Sequence, residues 1–261
     1  MPLISANGVK LYQETHGTGD PILCIHGTSG SAMSLRSALE PLSALGRVIT
    51  YDRRGSMRSE RPEPYATSVA EQAADAAALL MAMRATPAVV VGHSYGAGVG
   101  LALAVARPTL VRALILLEPP VPGIDPTFDT MRQRMLRDLE VVAQEDPGGV
   151  AESFLRRALG TETWESLAPE VQQAFRDSSP AVLAEARGEG LLVSERELAS
   201  LAMPVLVIAG EQSPEGFRRV ARLVAGMIPT ARLVTVPGGH AVRPAVPEIV
   251  AFVRPILQPV T

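Results

Sequence analysis

The sequence is poor in several things that would otherwise set its class. Of 261 residues only Cys24 is a cysteine, so no internal disulfide can staple the fold, and no Cys/His spacing suited to zinc occurs. Lysine is nearly missing as well. Lys10 stands alone among 24 basic residues, and the remainder are arginines scattered along the chain. Against 27 acidic residues they leave a formal charge of −3. Without a basic patch there is no electrostatic footprint for a phosphate backbone, so nucleic acid is not an expected partner. Long apolar runs are missing too. The longest stretch free of strongly polar residues, Gly96 to Ala106, is too short to cross a bilayer, and no membrane association is expected. The opening residues, Met1 to Gly8, lack a basic segment followed by an apolar one, which argues against a signal peptide. A cytoplasmic protein, or one whose export signal has been removed, is the expectation.

Apolar residues make up 47% and charged residues 20% of the chain, the balance of a soluble globular protein. A chain of this length can bury roughly 75% of its unfolded surface, enough for one sizeable core. Short β-rich runs alternate with helical stretches. The runs are Val9–Glu14, Ile22–Ile25, Val48–Tyr51, Ala88–Val91, Ala113–Leu117, Val205–Ala209 and Leu233–Val236. Several are apolar at nearly every position, as strands covered on both faces should be. Helical patterns fall at Ser68–Met83, Ala97–Ala106, Phe217–Met227 and Pro247–Leu257. The pattern predicts an α/β fold, a mostly parallel central sheet flanked by helices.

The alternation breaks between Pro119 and Ser200, where no strand pattern occurs. Phe128, Met131, Met135, Leu139 and Val142 recur at steps of three or four, which marks an amphipathic helix ended by Pro147-Gly148-Gly149. Val150, Phe154 and Ala158 form the stripe of a second helix, and Ser194 with Glu197 fits a capping box. The expected organisation is a core from residues 1–118, a helical lid over 119–200 and a second core part over 201–261. The insertion follows a strand end, where α/β sheets bind ligands.

Gly92-His93-Ser94-Tyr95-Gly96 is a G-x-S-x-G pattern. With 22 glycines, about one chain in eight of this composition would carry it by chance, so context must decide. Here a strand precedes Ser94 and a helix follows it, which places the serine on a tight turn with its hydroxyl exposed and a helix N-terminus behind it. Such a serine needs a base. Four histidines are available. His16 lies in a polar, hairpin-like turn. His93 adjoins Ser94 but should project elsewhere at a tight turn, and His26 follows an early strand. His240, in the loop after the last strand, is at the same strand edge as Ser94 and is the candidate base.

These pieces resemble the α/β-hydrolase fold superfamily: His26-Gly27-Thr28 after a strand, Asp52-Arg53-Arg54-Gly55 with Ser59, the turn around Ser94, and Gly239-His240. They occur in that family's order over essentially the whole chain. The resemblance implies a Ser/His site, an oxyanion hole from the backbone N–H groups of Tyr95 and Thr28, and a structural role for His26 in holding that loop. It also implies that Asp52 and Arg54 brace their turn, and that no metal or organic cofactor is needed. Met57 replaces a glycine usual in the family and is expected to reach toward the substrate pocket, with Trp164 of the lid as a second substrate-binding residue.

The orienting acid departs from the family's pattern. Where an aspartate is usual after the penultimate strand, Gly210-Glu211-Gln212-Ser213 places a serine. A minority arrangement puts the acid after the preceding strand, and there Leu114–Leu117 runs straight into Glu118. A carboxylate ending an apolar strand is out of place unless something pairs with it. Glu118 is the candidate acid. Glu211, Glu215, and a Ser/His pair with no direct acid are the alternatives. The expected activity is cleavage of a small apolar carboxylic ester or lactone through an acyl-enzyme on Ser94. Lactones enter because the placement of the acid is similar to that in some lactone-cleaving members of the superfamily, fungal-toxin lactonases among them. A non-hydrolytic receptor or cyclase on the same fold is the alternative.

Overall fold

The computed structural model describes residues 2–63 and 65–258. Among these, eight strands form one sheet in the order β1-β2-β4-β3-β5-β6-β7-β8. They are β1 Leu3–Ala6, β2 Val9–His16, β3 Pro21–Ile25, β4 Arg47–Tyr51, β5 Ala88–His93, β6 Val111–Leu117, β7 Val205–Gly210 and β8 Ala231–Val236. The β1–β2 hairpin joins β4 antiparallel, and all pairs from β4 through β3 to β8 are parallel. The helices of the same residues are α1 Ala32–Leu39, α2 Val69–Ala82, α3 Tyr95–Ala106, α4 Pro126–Glu145, α5 Val150–Leu159, α6 Thr161–Glu165, α7 Pro169–Asp177, α8 Ser179–Arg187, α9 Glu195–Ala199, α10 Glu215–Met227 and α11 Val246–Leu257. None is long and apolar enough to cross a membrane.

The continuous apolar runs of the inner strands follow from two-sided burial. In β3, Leu23 and Ile25 enter the layer shared with α2, α3 and α10, while Ile22 and Cys24 enter the opposite layer shared with α1 and α11. Each fully buried aliphatic side chain of this kind contributes about 1.5–3 kcal/mol. The expected sheet and its core helices are present. In the cap, α6, α7 and α8 are additional to the two helices and the capping-box helix expected there, and in the core three elements differ from the sequence reading. β1 and α1 carry no strong periodicity and are additional, and His16 ends β2 instead of lying in the turn beyond it.

The insertion, α4 to α9, forms a helical cap with an apolar cluster of its own built on Leu139, Val150, Ala151, Val182 and Ala186. Its entry is fixed by Asp125, which accepts hydrogen bonds from the N–H groups of Thr127 (2.9 Å) and Phe128 (3.2 Å) and an ion-pair bond from Arg219 of α10 (2.7 Å). Its exit is the Ser194/Glu197 capping box that opens α9.

Candidate active site

Ser94 connects β5 to α3 with φ at +52°, a left-handed backbone that a non-glycine residue adopts only under constraint. The constraint is close packing. A Cβ on Gly92 would lie 2.6 Å from Ala97 Cα, and one on Gly96 would lie 2.5 Å from the His26 carbonyl oxygen. Glycine at both positions lets the strand, the helix and the β3 loop converge. Ser94 makes no capping bond with its side chain, so the hydroxyl is not engaged in holding the helix start.

Glu118, the residue after β6, also sits at positive φ, +51°. Its N–H donates to the Ile208 carbonyl (2.9 Å), which continues the strand pairing and turns the side chain toward the sheet's upper edge. One carboxylate oxygen accepts the Gly210 N–H (2.8 Å), and the other meets His240 Nδ1. Burial raises the pKa of this carboxyl, but the bond and charge of His240, the Ser213 hydroxyl and the Gly210 N–H outweigh it. The net effect holds Glu118 below the ordinary carboxylate range, so it is ionised near neutral pH.

The His240 ring is flanked by two aromatic rings: His93 at a centroid distance of 5.0 Å and Phe217 of α10 at 4.4 Å. Phe217 in turn packs edge-on against Phe128 of the cap at 5.2 Å. Burial pushes the pKa of His93 down to about 3, with His240 adding to the effect. A neutral His93 sets no like charge against a protonated His240. Among the described residues no hydrogen bond joins Ser94 to His240. Such bonds are often long until substrate is bound.

The β3 loop lies directly against the elbow. A Cβ on Gly27 would be 3.0 Å from Ser94 Cβ, so Gly27, whose peptide bond leads to Thr28, packs directly against Ser94. His26 Nε2 accepts the Arg53 N–H (3.0 Å), which leaves Nδ1 as the protonated nitrogen donating to the Gly27 carbonyl (2.8 Å). Burial holds His26 well below its ordinary pKa and therefore neutral. The second donor position, the Tyr95 N–H, is the first of α3, where helix geometry provides no internal acceptor.

Glu211 and Glu215 are exposed, and Glu215 pairs with Arg218 and Arg222, so neither is brought to His240. Met57, at φ +48°, donates its N–H to Ser178 between α7 and α8 of the cap (3.2 Å). Trp164 is buried inside the cap with its ring 6.3 Å from that of Phe175. Asp52 receives the Ala32 N–H (2.7 Å) and Arg58, while Arg54 bonds to Asp75 of α2. Both therefore brace neighbouring helices as well as their turn. Among the described residues no three of His, Cys, Asp or Glu converge to hold a metal ion. Sequence reasoning missed Phe217 and Glu185. Phe217 reads as an ordinary helix residue, and Glu185 falls in a part of the insertion that the sequence patterns leave unassigned, its one signal being a charge set between Ala184 and Ala186.

The family profile described as alpha/beta hydrolase fold matches residues 20–242. A protein of Caulobacter sp. (strain K31) that carries the name carbamate hydrolase RutD is 30% identical over 250 residues, 91% of each chain. One of the same name from Azorhizobium caulinodans is 39% identical over 117 residues, 45% of this chain and 44% of that protein. Further relatives likewise align with the chain over less than half of their length. Among solved structures, a thermophilic esterase from Thermogutta terrifontis superposes with a TM-score of 0.74 at 26% identity, covering 99% of this chain and 98% of that one. With the profile spanning most of the sheet, the elbow and the histidine loop, the chain belongs to the α/β-hydrolase fold family.

Proposed function

We propose that the protein is a serine hydrolase that cleaves small apolar carboxylic esters or lactones through an acyl-enzyme on Ser94. The observation that carries this reading is the contact between a buried, ionised Glu118 and His240, at the strand edge where Ser94 turns into α3. In the reaction, Ser94 Oγ bonds to the substrate's carbonyl carbon as its proton passes to His240 Nε2. The carbonyl π pair moves onto oxygen, where the N–H groups of Thr28 and Tyr95 receive it. Glu118 orients the ring through Nδ1–H and stabilises the imidazolium. The carbon–oxygen bond to the leaving alcohol then breaks, and the alcohol takes the His240 proton. In a lactone that alcohol remains tethered to the acyl group. Water, deprotonated by His240, bonds to the acyl carbon, and Ser94 leaves with its proton restored.

Phe217, backed by Phe128 of the cap, places an apolar ring beside His240, and Met57 lies where the core meets the cap. This lining favours uncharged acyl or alcohol groups. Trp164, expected from the sequence to bind substrate, is buried within the cap against Phe175 and is left out of this lining. The names of the two bacterial relatives bring carbamates into the same test panel, because a carbamate carbonyl passes through the same tetrahedral geometry.

The test is reaction with a small fluorophosphonate followed by peptide mass spectrometry, then turnover of ester, lactone and carbamate panels. A stoichiometric Ser94 adduct, lost in His240→Ala, with multiple turnover abolished in Ser94→Ala, is expected. Folded protein that forms no adduct with even the smallest probe would overturn the reading and favour a receptor or cyclase.

A further inference from the structure

Deepest in the loop beneath the elbow lies a charged pair with no part in the proton transfers. Arg53 and Glu185 have side chains only 1% and 3% exposed, and they bond at 2.6 Å. Arg53 belongs to the loop after β4, whereas Glu185 is carried by α8 of the cap. Taking both charges out of water costs several kcal/mol per ion unless each is fully bonded. Here each is.

Arg53 bonds to two successive peptides of the loop after β3. Its Nη2 donates to the Gly27 carbonyl (3.0 Å) and its Nε to the His26 carbonyl (2.9 Å), while Nη1 also reaches Gln72 (2.5 Å). The Gly27 carbonyl additionally accepts His26 Nδ1–H (2.8 Å) and the Gly30 N–H (3.0 Å). That carbonyl and the Thr28 N–H belong to a single planar trans peptide, so they point in opposite directions. Three donors on the oxygen fix the direction of the N–H. A guanidinium among them draws electron density through the amide and strengthens its N–H as a donor. Glu185 supplies the other half: one oxygen holds Arg53 and the other accepts the Thr28 hydroxyl (2.7 Å). The guanidinium also stands over the Tyr95 ring, 4.8 Å from its centroid, so it meets the peptide oxygen paired with one proposed oxyanion donor and the side chain of the residue that carries the other.

We infer that Arg53 and Glu185 are positioning residues for the oxyanion hole: the cap, through Glu185, holds Arg53 and Thr28 so that the Thr28 N–H faces the reacting carbonyl at Ser94. This inference rests on the hydrolase reading above. Its consequence is that cap seating and oxyanion-hole assembly are one event, since α8 carries the only carboxylate bonded to Arg53 among the described residues.

The experiment compares a p-nitrophenyl ester with the matched thionoester, whose sulfur is larger and a weaker acceptor. A working oxyanion hole discriminates strongly between the two, so the ratio of their kcat/KM values reads the hole itself. Glu185→Gln and Thr28→Val are measured alongside the paired variant Arg53→Met with Glu185→Leu, which removes both charges and leaves neither buried alone. Fluorophosphonate titration counts the competent sites in each. Glu185→Gln and the paired variant should lose about 10²-fold in kcat on the ester, the scale of one lost donor, with KM within about twofold. The ester-to-thionoester ratio should fall at least about tenfold. Thr28→Val should lower the ratio less. A purely structural role would reduce the titrated sites and scale both substrates alike. An unchanged ratio in folded variants of an active wild type therefore overturns this inference alone. A wild type that neither labels nor turns over an ester overturns the function and this inference with it.

Discussion

Two buried histidines make stability depend on pH in a window where no carboxylate interferes. His26 is enclosed, and burial holds it neutral, well below its ordinary pKa. His93 is lowered to about 3, again chiefly by burial. In the unfolded chain both would protonate near pH 6.5. Below that pH the unfolded state binds more protons than the folded one, so stability rises with pH. Their contribution is complete above about pH 6.5 and is lost as the pH falls through that value, continuing toward the folded values. At pH 5 the difference, RT ln(1 + 10^(6.5−5)), is about 2 kcal/mol per histidine kept neutral. His93, whose rim meets solvent, contributes somewhat less, which makes the total about 3–4 kcal/mol between pH 7 and 5. Against a typical stability of about 5–15 kcal/mol this is a large change. Glu14, Glu118 and Glu152 have lowered values and act with the opposite group chemistry. Their contribution is present above the carboxylate range and disappears only below about pH 4.5, outside this window.

Urea unfolding at half-unit steps from pH 7.5 to 5 measures the effect. Far-UV circular dichroism follows the sheet, and fluorescence of the single tryptophan, Trp164, follows the cap in which it is buried. His26→Gln retains a side-chain donor for the Gly27 carbonyl but cannot titrate. Whatever its stability at pH 7, it should show about half the wild-type slope. A wild-type profile flat from pH 7 to 5, or a variant with the whole slope intact, would refute the reasoning.

Glu118→Gln keeps the shape of the acid and removes its charge; kcat on an activated ester should fall about 10⁴-fold, as for loss of an orienting acid elsewhere. Phe217→Ala removes the ring packed on His240 and should lower kcat by about 10- to 100-fold through misplacement of the proposed base, with little change in KM. Glycine replacements should split by position. Gly96→Ala drives a Cβ to 2.5 Å from the His26 carbonyl oxygen and should abolish soluble expression or cooperative melting. Gly226→Ala in α10 meets no atom within 4 Å and should stabilise by about 0.5–1 kcal/mol in thermal or urea unfolding.

What the sequence made legible follows the range of the interactions involved. Strands β3, β5, β6 and β7 could be read because two-sided burial writes itself into every position. The turn at Ser94 could be read because its glycines answer to atoms four or five residues away or in the adjoining loop. Glu118 was readable for the opposite reason, as a charge at the end of an apolar strand, which implies a partner without naming it. Its partner, His240, lies 122 residues further on, and the proximity comes from the sheet order. β1 and α1 were not legible, since a four-residue edge strand and a two-turn helix of mixed composition carry too little periodicity for either template. The Arg53–Glu185 pair lay furthest from view. Its members are 132 residues apart, one in a turn motif that reads as a local brace and the other in a stretch of the insertion where the sequence shows no helical pattern. Neither segment contains the reason for the other's charge. A buried charge whose own segment does not explain it is therefore the feature most worth carrying from sequence to structure: Glu118 is proposed to supply the acid, and Glu185 the tie between cap and oxyanion loop.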